Sequence, residues 1–224
     1  ETGIARYSAA VEKPSYTYAT GSSAVSLTVS FSLDMSTMPK SPFTDVVAGS
    51  WYFDAALYAS SHNLMLGTSP TEFSPNITMT RGMLVTVLYR MNGSPSVSGK
   101  TPFTDVRTDE WYSAAVLWAY QNGIVTGMSD TTFDPINNVT REQMATILFR
   151  YTKTAAPDKA KASADLSGFA DAGSVNDWAV DAMRWAVGQK LIAGITLEQS
   201  VYLQPRGNAT RAQAATVLTR YYAQ

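Results

Sequence analysis

Apolar residues recur at i, i+3, i+4 and i+7 in three stretches of the chain. Met144, Ile147, Leu148 and Tyr151 form one stripe, Leu84, Val87, Leu88 and Met91 a second, and Ala214, Val217, Leu218 and Tyr221 a third. That spacing gathers apolar side chains on one face of a helix. A shorter i, i+3, i+4 stripe precedes each of them: Ala55, Tyr58 and Ala59; Ala115, Trp118 and Ala119; Ala182, Trp185 and Ala186. Between the two helices of a pair lie a short apolar segment ending in Gly and a loop carrying Phe-x-Pro or, in the last pair, Leu203-Gln204-Pro205. One such pair is too small to bury its apolar faces, whereas three packed together can do so. Residues 1–41 follow another rule. Val25, Leu27, Val29, Phe31 and Leu33 alternate with polar residues, the period of a half-buried strand, and "SYTYA" before them is a candidate hairpin partner turning at Gly21-Ser22. Two strands alone are marginal in water, so this segment either docks on the helices or belongs to an upstream β domain.

The expected fold class is therefore mainly α. Helix-loop-helix units span 42–93, 102–153 and 168–224, a β segment spans 1–41, and polar linkers lie at 93–101 and 152–167. The units are copies of one another. Phe43, Asp45, Trp51, Gly67, Phe73, Pro75 and Arg81 each recur 60 residues later as Phe103, Asp105, Trp111, Gly127, Phe133, Pro135 and Arg141. The third copy carries Asp171, Trp178, Gly194 and Arg211 at growing offsets, so it holds extra residues before the Trp and between Gly194 and Arg211. Those insertions are expected in loops.

A Thr-Arg pair opens the second helix of every copy: Thr80-Arg81, Thr140-Arg141 and Thr210-Arg211. Thr is a good N-cap, and Gln143 and Gln213 complete capping boxes with Thr140 and Thr210. Met83 cannot do this for Thr80, which with Gly82 predicts a looser helix start. Capping does not account for Arg, which faces the positive end of the helix dipole. Two readings stay open. The guanidinium provides a fork for a carboxylate or phosphate beside the free N–H groups of the helix end, or each Arg pairs with its own copy's Asp45, Asp105 or Asp171. Arg90, Arg150 and Arg220 sit in the last helical turn, where a cation complements the dipole, and read as structural. Trp51, Trp111 and Trp178 are either core or a surface that stacks on a sugar face. Gly67, Gly127 and Gly194 are positions of left-handed backbone or close approach.

Composition narrows the chemistry. The chain has 17 Lys and Arg against 18 Asp and Glu, so nothing favours nucleic acid as a partner. It has no Cys and one His, His62, which ends a helix where the other copies have Asn122 and Gln189 and reads as a surface residue. No catalytic constellation or cofactor motif is present in the sequence. "SDTTFD" at 129–134 lacks the acidic density of an EF-hand loop, so no metal site is expected. No apolar run reaches the roughly 18 residues of a membrane span. The Asn-x-Ser/Thr triplets at Asn76, Asn92, Asn138 and Asn208 fall in polar turns and matter only in a glycosylating host.

The ordered series Phe-Thr-Asp-Val, Trp-Tyr, Gly-Ile-Val-Thr-Gly, Thr-Phe-Asp-Pro and Thr-Arg-Glu-Gln is similar to the S-layer homology domain, whose hallmark is Thr-Arg-Ala-Glu in three tandem copies. The resemblance covers roughly residues 42–224. It implies a pseudo-threefold helical assembly with grooves between lobes, and a secreted protein held non-covalently on the bacterial cell wall or S-layer. The implied partner is a secondary cell-wall polysaccharide ending in pyruvylated N-acetylmannosamine, contacted by Arg81, Arg141 and Arg211. The Asp and Trp positions are weaker groove candidates, and the Gly positions complete the expected site. This chain departs from the hallmark by ending in Gln for Glu in copies two and three and in Gly-Met in copy one, so unequal sites are expected. A rival reading is an adhesin or interaction module binding itself or a host protein, which would depend on an apolar patch and not on the arginines.

Overall fold

The computed structural model describes residues 40–223, and the strand expected at 24–34 with its hairpin partner lies outside them. Six α-helices are described: α1 (Phe53–Ser61), α2 (Arg81–Met91), α3 (Ser113–Gln121), α4 (Arg141–Ala155), α5 (Val180–Gly188) and α6 (Arg211–Tyr222). A two-stranded antiparallel hairpin, β1 (Ile195–Leu197) with β2 (Ser200–Tyr202), is the sheet among the described residues. The three long stripes and the three short ones fall on these helices, and nearly all their members are buried; Tyr58 and Met91 are half-buried.

The repeats do not fold as separate pairs. Helix α2 packs on α3, α4 on α5, and α6 returns to α1. Each second helix thus buries its apolar face against the first helix of the following repeat, and the third repeat closes on the first. Backbone hydrogen bonds tie the ring at its centre. The Met79 N–H donates to Ala209 O at 2.8 Å, Ala209 N–H to Val139 O at 2.9 Å, and Val139 N–H to Met79 O at 2.8 Å. This triangle of equivalent residues, all three fully buried, defines the pseudo-threefold arrangement.

The same interlocking satisfies the helix starts. Arg81, Arg141 and Arg211 donate their backbone N–H to Asn137, Gly207 and Ile77 O, each at 2.9 Å. Gly82, Glu142 and Ala212 donate to Pro135, Pro205 and Pro75 O at 2.8–3.0 Å. Thr80, Thr140 and Thr210 cap the third position of their helices, with full capping boxes at Thr140 and Thr210. Of the amides that a helix normally leaves open, the first two are therefore filled by a neighbouring repeat and the third by the helix's own Thr. The helix ends consequently lack the free N–H groups that one of the two sequence readings invokes for an anion. At α2, where a looser start is expected, Met83 completes no capping box. Thr80 Oγ1 still accepts from Met83 N at 3.2 Å, and a side chain at Gly82 would meet Pro135 O at 2.9 Å and the Tyr112 ring at 3.4 Å.

Part of the third copy's inserted sequence is ordered. It forms β1 and β2, joined by a two-residue turn with Glu198 at φ 54°. The linker expected at 152–167 starts later, because α4 runs on to Ala155, and the remainder lies along α5: Trp185 Nε1 donates to Lys159 O at 2.9 Å, and Ala164 N–H to Arg184 O at 3.0 Å.

Candidate functional site

Asp45, Asp105 and Asp171 do one local task. Each carboxylate accepts the backbone N–H groups of the loop before its own repeat's second helix: Phe73 and Ser74 at 2.9 and 2.6 Å, Phe133 and Asp134 at 2.9 and 2.7 Å, Leu203 and Gln204 at 2.7 and 2.7 Å. A carboxylate bridging two adjacent amides fixes the loop, because charge-assisted bonds of this kind are short and strong. The carbonyl of the first residue of each pair then points into the next contact.

That contact is the motif Arg of a different repeat. Arg81 Nε donates to Phe133 O at 2.9 Å, Arg141 Nε to Leu203 O at 2.7 Å, and Arg211 Nε to Phe73 O at 2.9 Å. Arg81 and Arg211 each add a second bond, from Nη2 to Thr126 O at 3.3 Å and Leu66 O at 2.7 Å. Their guanidiniums lie over the Phe133 and Phe73 rings at 4.6 and 4.8 Å. Only 6% of each of the three arginines is exposed. Burial lowers their affinity for the proton, an effect partly offset by a nearby Asp of the next repeat, yet arginine stays charged at any ordinary pH. Neither sequence reading of the Arg is complete. It does not pair with its own repeat's Asp. Asp and Arg from different repeats hold the two ends of the same peptide segment, so the arginines staple the ring together.

The arginines nonetheless open onto grooves. Among the described residues no buried side-chain nitrogen lacks a partner, so the terminal nitrogens left free by these bonds reach solvent. The first groove, 370 Å³, is floored by Leu66, Gly67, Met83 and Arg90, with Arg211 and Trp111 at its sides. The second, 300 Å³, is floored by Thr126, Gly127, Gln143 and Arg150, with Arg81 and Trp178. The third, 510 Å³, is floored by Ala193, Gly194, Gln213 and Arg220, with Arg141 and Trp51. Every groove takes its floor from one repeat, its motif Arg from the preceding one and its Trp from the following one.

The expected site residues thus divide. The Arg, Trp and Gly positions line the grooves, whereas Asp45, Asp105 and Asp171 are spent on loop amides. Trp51, Trp111 and Trp178 are 66, 59 and 53% exposed, which removes the core reading. Gly67 and Gly127 are close-approach positions: a side chain there would meet Glu72 O and the Phe43 ring, both at 2.7 Å, or Thr132 O at 2.5 Å and the Phe103 ring at 2.7 Å. Gly194 differs, with φ +80°, because the chain turns there into the hairpin.

Arg90, Arg150 and Arg220 have a larger part than the helix-dipole reading assigns them. They line the grooves, Arg90 and Arg220 exposed and Arg150 half-buried. Ion pairs among the described residues are Arg107–Asp109 and Lys161–Asp158, both at the surface. No groove arginine is therefore neutralised by a paired carboxylate of the described residues. The sequence signal for this is their recurrence nine residues after the first Arg, which a dipole effect alone does not require.

The family model of the S-layer homology domain matches residues 42–82, 102–145 and 168–215. The chain is also similar to an endoglucanase of Bacillus sp. (strain KSM-635), 33% identical over 80% of this chain and 18% of that protein. It is similar to the surface-layer 125 kDa protein of Lysinibacillus sphaericus, 31% identical over 69% of this chain and 12% of that protein. A third relative is the exoglucanase XynX of Acetivibrio thermocellus, 27% identical over 81% of this chain and 16% of that protein. The chain spans less than a fifth of the length of these relatives.

Proposed function

The chain belongs to the S-layer homology family, and on that premise we propose that its three repeats anchor a bacterial surface protein to the cell wall by binding an acidic wall polysaccharide in the grooves. One observation carries this reading. Each groove brings together two guanidiniums with no paired carboxylate among the described residues and an exposed Trp, and draws them from all three repeats. A terminal sugar bearing a pyruvyl ketal matches that set. Its carboxylate meets the guanidinium fork, and its apolar ring face lies on the indole. We read the chain as a binding module and not as an enzyme. Its single histidine, His62, is exposed and stacks on Tyr58 at 3.9 Å between ring centroids, away from every groove.

The test is titration calorimetry with pyruvylated N-acetylmannosamine beside plain N-acetylmannosamine. Losing a hydrogen bond to a charged group costs about 1.5–3 kcal/mol, so the neutral sugar is expected to bind at least about tenfold more weakly. Equal affinity for the two sugars would remove the carboxylate from the reading. Saturable binding of neither sugar, with a protein partner engaging an apolar face instead, would favour the adhesin reading.

A further inference from the structure

We infer that the third groove, between Trp51 and Arg141, is the principal site for the acidic sugar and that the other two are weaker; this rests on the wall-glycan reading. The three grooves share a plan but differ in donors. A guanidinium carries five N–H donors. Arg141 commits only its Nε, to Leu203 O. Arg81 and Arg211 each also give an Nη2 donor to a carbonyl of the repeat they staple. The carbonyl equivalent to Leu66 O and Thr126 O is that of Ala193. It takes no bond from Arg141, and the backbone beside it turns at Gly194, φ +80°, into the β1–β2 hairpin. The ring stacking differs as well: Arg81 and Arg211 lie over Phe133 and Phe73, whereas the equivalent residue for Arg141 is Leu203, which has no π-face. A side chain only 6% exposed therefore keeps all four terminal donors for whatever enters the groove.

The third position of each second helix sharpens the difference. Gln213 Oε1 accepts from Thr210 N–H at 3.1 Å, which assigns its other terminal atom as an amide nitrogen; that nitrogen has no partner among the described residues, and Gln213 lines the third groove. Gln143 repeats this in the second groove. The first groove has Met83 there, with no donor. A Glu, the hallmark residue at this position, would cap equally well but would set a negative charge beside the ligand carboxylate; Gln supplies a donor instead. In the second groove Arg150 lies near Arg81, but Asp134 lies there too and opposes an incoming anion; the loop-holding Asp105, Asp171 and Asp45 lie near the motif Arg of all three grooves alike. The residues equivalent to Asp134 are Ser74 and Gln204, both uncharged. Only the third groove combines the uncommitted Arg, the amide donor and a loop without a carboxylate, and at 510 Å³ it is also the largest of the three.

The test varies the three exposed tryptophans and the half-buried Gln213, where Met leaves the Thr cap in place as Met83 does for Thr80 in α2, so that the fold stays intact. Trp51→Ala, Trp111→Ala, Trp178→Ala and Gln213→Met are titrated with pyruvylated N-acetylmannosamine, with melting curves recorded for each. Trp51→Ala is expected to weaken the tightest site by about tenfold or more, the scale of removing an aromatic stacking surface and the water exclusion it provides. Gln213→Met is expected to weaken it by about tenfold, in line with one charge-assisted hydrogen bond. Trp111→Ala and Trp178→Ala are expected to leave that site within about twofold, well inside one hydrogen bond. Equal losses in all three Trp variants, or a larger loss in Trp111→Ala or Trp178→Ala, would overturn the ranking while leaving the wall-glycan reading in place. No binding by the wild type would overturn both.

Discussion

Arg211→Met is expected to destabilise the module by about 4 kcal/mol, because it leaves two carbonyls near the ring seam without a donor, each worth roughly 1–3 kcal/mol, and removes a cation–π interaction. The side chain joins repeat three to repeat one: Nε to Phe73 O at 2.9 Å, Nη2 to Leu66 O at 2.7 Å, guanidinium over the Phe73 ring. Met keeps most of the volume, so the effect isolates the missing donors and charge from a cavity. Urea denaturation followed by circular dichroism measures it. A loss below about 1 kcal/mol, the scale of one ordinary hydrogen bond, would mean that the seam does not depend on this staple. The prediction also bears on how the grooves are to be probed. Replacing a motif Arg alters the fold and the ligand surface together, so loss of binding in such a variant does not identify a contact. The exposed tryptophans report on the grooves without that ambiguity.

Removing residues 203–224 is expected to unfold the remaining repeats outright. Helix α6 buries Ala212, Ala214, Ala215, Val217, Leu218 and Tyr221 and packs on α1. Ala209 closes the central triangle with Met79 and Val139, and Leu203 holds Arg141. At about 1.5–3 kcal/mol for each large side chain buried, the loss reaches the roughly 5–15 kcal/mol that stabilises a whole domain. Two repeats do not form a smaller ring, because α1 and Arg141 both lose their partners. The expected outcome is collapse of amide dispersion in a ¹H–¹⁵N spectrum. A well-dispersed spectrum from the truncated chain would show that the repeats fold independently, against the interlocked arrangement.

Much of this is legible in the sequence, and the part that is not has a physical cause. The stripes through Leu84, Met144 and Ala214 mark α2, α4 and α6 because an apolar face of period 3.6 has one local solution. The Thr-Arg pairs mark their starts because a cap is a local hydrogen bond. A stripe does not say which helix will cover it, so the exchange of partners around the ring cannot be read from it. Everything decided by that exchange is hidden with it: the carbonyls that hold Arg81 and Arg211, the filling of the helix-end amides, and the gathering of Arg90, Arg150 and Arg220 with a Trp from another repeat. The exposure of Trp51, Trp111 and Trp178 stays open for the same reason, since a large aromatic at a helix start is core or surface according to what packs over it. The β1–β2 hairpin does leave a signal, in Ile-Thr-Leu and Ser-Val-Tyr around Glu-Gln, but each strand is only three residues long.

The central claim is that the grooves hold the protein on the wall. Its most direct measurement is co-sedimentation of the protein with purified Gram-positive cell walls, wild type beside a variant carrying Trp51→Ala, Trp111→Ala and Trp178→Ala, with thermal melts of both. The wild type is expected to pellet with the walls and to stay in solution once their acidic polysaccharide has been stripped. The triple variant is expected to stay in solution with either preparation while melting like the wild type, since its changes lie at exposed positions. Equal pelleting of the folded variant and the wild type on intact walls would contradict groove binding.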